Sequence, residues 1–486
     1  MKLKDLLYKV KLIEVIGNTD IPISSVHFDS RKIEKNALFI AQKGTQVDGH
    51  EFIEKSVSAG ATAIICEHFP KNISQDATYV KVGNSSEAMG VIAANFYENP
   101  SEKLKLIGIT GTNGKTTTAT LTYKLFESLG CPAVLISTIR ILVNGKEHST
   151  GHTTPDIITL NKIFKEAVDA GCEYAVMEVS SIGIHQHRIA GLNFNVAVFT
   201  NLTHDHLDYH KTFAEYLKVK KSFFDQLPKT ASSLTNIDDK NGVVMLQNSA
   251  SKRYSYALKS DADFRAKILE NRFDGMLLLI DGKEVWTQLI GQFNAYNLLT
   301  VYSIARILGF ESSEILTHLS SLGKVDGRFQ SFMTKTGIVA IIDYAHTPDA
   351  LENVLDTIQS IRNHSEKLFT VVGCGGDRDK TKRPEMADIA SEKSDQAIFT
   401  SDNPRTEDPE AILADMEAGI KPKNYKKTLK ITDRKEAIKT VLRMAEKGDI
   451  ILIAGKGHET YQEINGVRHH FDDMETVKEL ATQLNK

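Results

Sequence analysis

The residues most able to do chemistry stand in one glycine-rich segment, Gly108-Ile109-Thr110-Gly111-Thr112-Asn113-Gly114-Lys115-Thr116-Thr117. An apolar run precedes it and leucines at helical spacing follow it, which predicts a strand, a turn and a helix in that order. In such a turn, backbone N–H groups approach phosphate oxygens, Lys115 neutralises their charge, and the Thr116 hydroxyl can contact Mg²⁺. The segment therefore predicts an ATP-binding loop formed by Gly111, Thr112, Asn113, Gly114, Lys115, Thr116 and Thr117.

Further polar side chains follow the next strands in the chain. Glu178 ends an apolar run, and His210 lies in the polar run after the expected strand Val196 to Thr200. Residues just beyond the ends of parallel strands face the ligand crevice of an open sheet. Carboxylate and imidazole groups there predict Mg²⁺ ligands, whereas we expect His204 and His206 to be surface or structural residues.

One lysine occupies an unusual position in the helix expected over Thr212 to Leu227. Phenylalanine, tyrosine and leucine residues form an apolar stripe on this helix, and Lys220 falls in its middle, whereas Lys218 and Lys221 lie at its edge or away from it. A lysine that faces inward loses hydration, so its amine tends toward neutrality. Alternatively, the side chain bends out to solvent. Both interpretations stay open from the helix alone.

Three strand ends near the C-terminus carry charged groups. Leu368 to Val372 leads to a loop with Arg378, Ala397 to Thr400 leads to Asp402-Asn403-Pro404-Arg405, and Ile450 to Ile453 leads to Gly455-Lys456-Gly457-His458-Glu459. Two arginines can hold carboxylates bidentately, and a glutamate can hold an ammonium group. This combination predicts a site for a zwitterionic amino acid with an additional charged end.

The elements that position these groups predict an α/β protein of three domains. At 486 residues the chain is too long for a single hydrophobic core. We expect an N-terminal domain over 1–98, a central ATP-binding domain with a P-loop-type parallel sheet over 99–325, and a C-terminal doubly wound Rossmann-like domain over 326–486.

Composition restricts the function further. The 59 basic and 62 acidic residues nearly balance, which argues against a nucleic-acid or anionic-membrane partner. No apolar stretch approaches the length of a membrane span, and the first 17 residues lack the apolar core of a signal peptide. The four cysteines are too scattered for a zinc site or a disulfide scaffold. We therefore expect a soluble, cytoplasmic enzyme, monomeric and acting on small molecules.

Motifs along nearly the whole chain resemble those of the Mur ligases, the ATP-dependent amide-forming enzymes of peptidoglycan precursor synthesis. The matching segments are Asp29-Ser30-Arg31, Gly111 to Thr117, Thr153-Thr154-Pro155, Met177 to Ser181, Asn201 to His210, Asp343 to Pro348 and Gly455 to Glu459. The resemblance implies that ATP and Mg²⁺ drive the addition of an amino acid to a UDP-N-acetylmuramoyl-dipeptide through an acyl phosphate. The segment Asp402 to Arg405 is similar to that of the forms that add meso-diaminopimelate.

The resemblance also implies roles for individual residues. Those expected to bind the UDP-precursor are Phe28, Ser30, Thr45, Gln46, Val47, His152, Thr153, Thr154, Ser180, Gln186 and Arg188. Those expected to bind diaminopimelate are Arg378, Asp402, Asn403, Pro404, Arg405, Gly455 and Glu459. Asn294 and Arg328 are expected to contact ATP, with Asp343 and His346 nearby. Thr116, Glu178, His210 and Lys220 are expected at the metal, with Lys220 as a carbamate (N6-carboxylysine), and Lys115, Glu178, His210 and Lys220 are the implied catalytic residues.

Three alternatives remain at this stage. An L-lysine-adding form would share most of the motifs. A ligase similar to folylpolyglutamate synthase would share the phosphate loop and the third domain but would not need the first hundred residues. A non-catalytic nucleotide-binding scaffold would leave the group formed by Glu178, His210 and Lys220 without a role.

Overall fold

A computed structural model gives the fold of the chain, and it describes residues 1–44, 47–149, 151–363 and 365–486. Two residues expected to bind the UDP-precursor, Thr45 and Gln46, lie outside the described residues. The protein is α/β with three domains, each built around its own sheet, as the sequence predicts. The expected boundaries near residues 98 and 325 both fall between sheets and stay predictions.

The N-terminal domain contains a sheet in the order β1-β5-β4-β3-β2, in which only the β1–β5 pair is antiparallel. Its strands are β1 (Leu12–Ile16), β2 (Ser25–His27), β3 (Ala37–Ile40), β4 (Ala61–Cys66) and β5 (Thr78–Val82). Its helices are α1 (Leu3–Leu6), α2 (Ile53–Ser58) and α3 (Ser85–Phe96), with 3₁₀ turns at Ser30–Lys32 and Gly49–Phe52. Strands β3 and β4 are almost wholly buried, so they read as continuous apolar runs.

The central domain is built on a long mixed sheet that follows a 3₁₀ turn at Pro100–Glu102. Its strands are β6 (Lys105–Thr110), β7 (Ala133–Ile136), β8 (Ile141–Val143), β9 (Lys146–His148), β10 (Tyr174–Glu178), β11 (Val196–Phe199), β12 (Ser232–Asn236), β13 (Lys252–Ala257), β14 (Phe264–Arg272), β15 (Gly275–Ile280) and β16 (Lys283–Thr287). Their order is β16-β15-β14-β13-β12-β11-β6-β10-β7-β8-β9. The segment from β14 to β7 is parallel, and antiparallel strands extend it at both ends.

Helices cover this sheet and supply several site residues. They are α4 (Lys115–Ser128), α5 (Ile157–Asp169), α6 (Ser181–His185), α7 (Leu207–His210), α8 (Phe213–Asp225), α9 (Gly242–Met245), α10 (Gln292–Ile307) and α11 (Ser312–Ser320). Helix α8 begins where the sequence predicts, because the Thr212 side chain accepts a hydrogen bond from the Glu215 backbone N–H. Its inward face carries Tyr216, Phe223 and Phe224, all buried.

The C-terminal domain has a sheet in the order β17-β18-β22-β19-β20-β21, antiparallel only between β17 and β18. Its strands are β17 (Gln330–Met333), β18 (Val339–Asp343), β19 (Leu368–Val372), β20 (Gln396–Phe399), β21 (Thr428–Lys430) and β22 (Ile450–Ala454), and β23 (Tyr461–Ile464) with β24 (Val467–His470) forms a separate hairpin. Its helices are α12 (Pro348–Ile361), α13 (Lys382–Lys393), α14 (Pro409–Glu417), α15 (Arg434–Met444) and α16 (Asp473–Gln483), with a 3₁₀ turn at Pro422–Lys427.

Apolar clusters on the two faces of this third sheet confirm the doubly wound arrangement. Helices α12 and α13 pack on one face, against Ile341 and Leu452, and α15 and α16 pack on the other, against Ile342 and Ile453. No helix in the described part of the chain is both long and apolar enough to cross a membrane.

Candidate active site

The glycine-rich loop joins β6 to α4 near the middle of the central sheet, and the end of β11 holds its shape. Gly111 has a φ of +151°, and a Cβ there would lie 1.9 Å from Thr200 Oγ1. Asn201 accepts two backbone hydrogen bonds from the loop: the Thr112 N–H donates to its carbonyl and the Asn113 N–H to its Oδ1, both at 2.8 Å. The backbone geometry of a phosphate-binding loop is therefore preset by a neighbouring strand end.

Two side chains at the start of α4 project into the same region. Lys115 Nζ donates to the carbonyls of Gly111 and Thr112, at 2.9 and 2.7 Å. Burial lowers the pKa of Lys115, and the nearby Glu178 carboxylate opposes that shift. The Thr116 hydroxyl donates to Glu178 Oε2 at 3.0 Å. The carboxyl ends of β6 and β10 thus bring the predicted lysine, hydroxyl and carboxylate together.

Glu178 is completely buried, and both oxygens of its carboxylate accept hydrogen bonds. The Thr138 backbone N–H donates to its Oε1 at 2.7 Å, and the Thr138 hydroxyl lies 3.3 Å from its Oε2. Thr116, Glu178 and Lys220 line one cavity of about 360 Å³. The other expected metal ligand, His210, is buried outside that lining, with its Nε2 2.9 Å from the hydroxyl of Ser181. A buried carboxylate and a hydroxyl are hard oxygen donors of the kind Mg²⁺ prefers, so these residues fit that ion.

Lys220 faces inward, so the interpretation in which its side chain bends out to solvent is wrong. Only 1% of the residue is exposed, and its Nζ donates to the Gly111 carbonyl at 2.8 Å and lies 3.4 Å from the Thr110 hydroxyl. The Tyr216 ring centroid lies 4.9 Å from the same nitrogen. Burial, with a further contribution from the charge of Lys115, holds the pKa of Lys220 well below its usual value.

A cavity of about 640 Å³ opens beside the phosphate loop, between the central and C-terminal domains. Arg328 lines it, donates to the Thr116 hydroxyl at 3.2 Å, and stacks over the Tyr344 ring with 4.6 Å between Cζ and the centroid. Asn294 does not line the cavity: its amide donates to the Ile290 carbonyl and accepts from Asn297, which does line it. The expected contact of Asn294 with ATP stays a prediction, and Asn297 is a lining residue that sequence reasoning missed.

Asp343 and His346, expected near the nucleotide, both line this cavity. Burial raises the pKa of Asp343 to about 6, although its carboxylate accepts backbone hydrogen bonds from Phe329 at 2.6 Å and Ala345 at 2.8 Å. Burial also lowers the pKa of His346 to about 4, and its Nδ1 lies 2.9 Å from the Tyr344 carbonyl oxygen. His346 is therefore a neutral imidazole at neutral pH.

The central-domain residues expected to hold the precursor form one group next to Glu178. The Thr154 hydroxyl donates to the Glu178 carbonyl at 2.9 Å, and Arg188 donates to the Thr154 carbonyl at 2.8 Å and to the Gln186 side chain at 2.7 Å. The members that line the cavity of about 360 Å³ are His152, Thr153, Thr154, Ser180 and Arg188. The N-terminal members Phe28, Ser30 and Val47 do not line it, and Phe28 and Val47 are exposed.

The third-domain loops form a cavity of about 270 Å³ that adjoins the phosphate region. Six of the predicted amino-acid-binding residues line it: Arg378, Asp402, Asn403, Arg405, Gly455 and Glu459. The seventh, Pro404, is buried and does not line it. His204 and His206 line it too, and His204 is exposed, which agrees with the surface or structural place expected from the sequence. Their loop turns from the end of β11 toward the third domain, a path that no local pattern indicates.

Lys456 organises the acidic side of this cavity and was missed as a functional candidate. It is completely buried, and its Nζ lies 3.2 Å from Asn403 Oδ1 and 3.3 Å from Glu459 Oε2. Asn403 Nδ2 in turn donates to Glu459 Oε2 at 2.7 Å. Burial and the Asp402 charge raise the pKa of Glu459. A Cβ on Gly455, whose φ is +113°, would lie 2.6 Å from Asp402 Oδ2, so only glycine leaves that carboxylate its place.

A glycine-rich loop with a lysine lines one cavity, and arginines and carboxylates line another. This combination fits an ATP-dependent ligase that forms amide bonds, and the protein is one of these. Family models match three parts of the chain: the Mur ligase family catalytic domain over residues 22–97, the Mur ligase middle domain over 109–305, and the Mur ligase glutamate ligase domain over 327–457. The chain belongs to the Mur ligase family.

Individual relatives agree with this assignment. A UDP-N-acetylmuramoyl-L-alanyl-D-glutamate–2,6-diaminopimelate ligase from Cytophaga hutchinsonii is 52% identical over the full length of both chains. A solved structure with the same enzyme name is 32% identical and superposes with a TM-score of 0.71, covering 100% of this chain and 99% of the other. A folylpolyglutamate synthase from Thermotoga maritima shares the fold at 18% identity and a TM-score of 0.60, covering 76% of this chain and 90% of its own.

Proposed function

We propose that the protein adds meso-2,6-diaminopimelate to UDP-N-acetylmuramoyl-L-alanyl-D-glutamate in peptidoglycan precursor synthesis, with ATP converted to ADP and phosphate. The observation that carries this proposal is a cavity lined by two arginines, Arg378 and Arg405, and two carboxylates, Asp402 and Glu459. Diaminopimelate carries two carboxylates and two ammonium groups, so this charge pattern complements both of its ends. L-Lysine, which lacks the second carboxylate, would leave an arginine without its partner.

In the first step, an oxygen of the D-glutamate carboxylate attacks the γ-phosphorus of ATP. The new O–P bond forms as the bond to the β-phosphate oxygen breaks, which yields an acyl phosphate and ADP. Lys115 and the N–H groups of the loop stabilise the charge on the transferring group, and Arg328 adds a guanidinium from the third domain. Thr154 and Arg188 orient the precursor at the end of β10.

In the second step, the amine of diaminopimelate attacks the acyl carbon, and the tetrahedral intermediate expels phosphate. The substrate's ammonium group gives one proton to solvent before it attacks, and the nitrogen gives a second to the departing phosphate as the amide forms. Glu459 and Asp402 hold the substrate's ammonium group, and the adjoining cavities keep the amine close to the acyl phosphate. Because water would hydrolyse that intermediate, enclosure between domains favours amide formation.

We also propose that Mg²⁺ binds beside the phosphates. Thr116 and Glu178 would hold it, with a modified Lys220 beside them in the same cavity. His210 does not line that cavity, so its expected contact with the ion stays a prediction. The ion supplies positive charge that offsets the phosphate oxygens. The cytoplasmic location and the monomeric state expected from the sequence stay predictions.

Lys220 is proposed to carry a carbamate. Its nitrogen attacks the carbon of CO₂, a C–N bond forms, one C=O electron pair moves onto oxygen, and the nitrogen releases a proton to water. The Lys220 side chain is buried, which favours the neutral and therefore nucleophilic amine. Its described hydrogen-bond partners are a hydroxyl and a carbonyl rather than a carboxylate. The product is an anionic oxygen ligand in place of a cation that would repel Mg²⁺.

The test combines purified protein, ATP, Mg²⁺ and the UDP-muramoyl-dipeptide with meso-diaminopimelate, L-lysine or no amino acid. We expect ADP release that requires both co-substrates, and a product whose mass equals precursor plus diaminopimelate minus water. Equal rates with L-lysine would support the lysine-adding form instead. ADP release with a folate substrate but not with the UDP-precursor would support the folylpolyglutamate-type alternative.

A further inference from the structure

The two arginines of the amino-acid cavity are attached to strained backbone. Asp377, directly before Arg378, has a φ of +54°, and Arg405 itself has a φ of +52°. A non-glycine residue in the left-handed region is strained and persists only where its surroundings hold it. Contacts around these two residues must therefore hold the backbone from which both arginine side chains extend.

Direct contacts join the two loops that carry them, residues 375–379 and 402–407. The Gly376 N–H donates to the Asn403 carbonyl at 2.9 Å, and Arg405 Nη1 donates to the Gly376 carbonyl at 2.6 Å. The Asp377 carboxylate accepts from the Thr406 hydroxyl at 2.8 Å and from its backbone N–H at 3.2 Å. The loops therefore form one connected unit.

A buried ion pair lies behind this unit. Arg383, whose side chain is 1% exposed, donates from Nη2 to Glu407 Oε1 at 2.9 Å and from Nη1 to Glu407 Oε2 at 3.1 Å. Glu407 Oε1 also accepts the Asp377 N–H at 2.6 Å, and the Glu407 N–H donates to the Pro404 carbonyl at 3.0 Å. Glu407 thus contacts the strained residue of one loop and the backbone of the other, while Arg383 fixes the carboxylate from helix α13.

We propose that Arg383 and Glu407 are positioning residues that set the spacing of Arg378 and Arg405 for the second carboxylate of the amino acid. The proposal rests on the function proposed above, because it assigns a role within the same cavity. Neither residue lines that cavity, so both act through the loops rather than through the substrate.

The chain offers a matched control on the same guanidinium. Asp415, on α14, accepts from Arg383 Nη1 at 2.8 Å, and within the described ranges it has no hydrogen bond to either loop. Replacing Asp415 removes one ion pair of Arg383 and leaves the bond between Glu407 and Asp377 intact. A second control is Lys380, two-thirds exposed, which pairs with Glu407 from the solvent side at 3.1 Å.

The experiment compares wild type with Glu407→Gln, Asp415→Asn and Lys380→Ala, measuring KM and kcat for each substrate by ADP release. Glutamine has the same shape as glutamate, but its NH₂ group cannot accept a hydrogen bond. One of the two bonds from the Arg383 guanidinium is therefore lost. We expect the KM for meso-diaminopimelate to rise at least tenfold in Glu407→Gln, with the KM values for ATP and the UDP-precursor within twofold of wild type. The two control variants should stay within twofold for all three substrates.

Results other than this selective rise in the KM for diaminopimelate would contradict the inference. An unchanged KM for diaminopimelate in Glu407→Gln would overturn it, as would equal increases for all three substrates, which would indicate general destabilisation. An equal rise in Asp415→Asn would assign the effect to the stability of α13 and α14 instead. If wild type itself shows no diaminopimelate-dependent ADP release, the proposed function fails and the inference fails with it; if wild type responds normally, only the inference is at issue.

Discussion

Replacing Arg405 by methionine removes one of the two cations assigned to the second carboxylate of diaminopimelate. The guanidinium lines the amino-acid cavity while its Nη1 donates to the Gly376 carbonyl at 2.6 Å, which leaves its remaining N–H groups for a ligand. A hydrogen bond to a charged group contributes about 1.5–3 kcal/mol. At about 1.4 kcal/mol per factor of ten, its loss lowers kcat/KM for meso-diaminopimelate roughly 10- to 150-fold.

The decisive comparison is between two amino acids in one assay. L-Lysine has no second carboxylate, so its kcat/KM should change by less than about threefold in Arg405→Met. The preference for diaminopimelate over lysine should therefore fall by the full 10- to 150-fold. ADP release and product mass, measured with each amino acid in turn, give both values.

Arg468 provides a matched control for Arg405. Arg468 lies on the neighbouring hairpin, 4.3 Å from the centroid of the Tyr461 ring and largely exposed, and Arg468→Met should leave both amino acids unaffected. A parallel fall for lysine and diaminopimelate in Arg405→Met, with an unchanged melting temperature, would refute the assignment of Arg405 to the second carboxylate.

The remaining predictions concern the phosphate loop, the buried lysine and acid stability. Lys115→Ala should lower ADP formation more than about a hundredfold with an unchanged circular dichroism spectrum, because its described bonds go only to loop carbonyls; near-normal turnover would contradict this. Lys220→Ala should lose nearly all activity and regain part of it with small carboxylic acids, whereas full activity without them would exclude the carbamate. Arg383 lowers the pKa of Glu407 from 4.5 to about 2, so that pair stabilises the fold above about pH 4.5 and its contribution is lost as the pH falls toward 2. The difference in unfolding free energy between wild type and Glu407→Gln should shrink over that window, and a constant difference would contradict the shift.

The parts of the site that could be predicted from sequence are those set by local rules. The phosphate loop follows from glycine, lysine and threonine spacing between a strand and a helix. Helical periodicity places Lys220 within an apolar stripe but leaves the direction of its side chain open, and burial of the residue shows that it faces inward. The grouping of Glu178 with the loop follows from the rule that parallel strands end at one edge of a sheet.

The parts that could not be predicted depend on contacts between distant segments. Lys456 lies in the segment Gly455 to Glu459, which the sequence marks as a strand end. Its bonds to Asn403 and Glu459, however, form only because the loops after two strands of the third sheet meet. The place of His204 at the amino-acid cavity depends on how one domain faces another. The spacing of residues along the sequence does not predict how the two domains face each other, because many weak contacts across the domain junction determine it together.

The junction between the central and third domains also links the two chemical steps. Asn113 of the phosphate loop donates to Asp349 Oδ2 at 2.8 Å, the Thr203 hydroxyl donates to the same oxygen at 3.2 Å, and Arg328 donates to Thr116. Each such bond contributes about 0.5–1.5 kcal/mol net, so together they favour this domain arrangement by a few kcal/mol at most. Apolar contacts, such as that between Phe293 and Phe329, add to these bonds. Turnover nevertheless requires that the arrangement be reversible, because the product joins groups bound to different domains and leaves only when they separate. Since the third domain carries Arg328 as well as the amino-acid cavity, the same arrangement that completes the phosphate site also brings the attacking amine to the acyl phosphate.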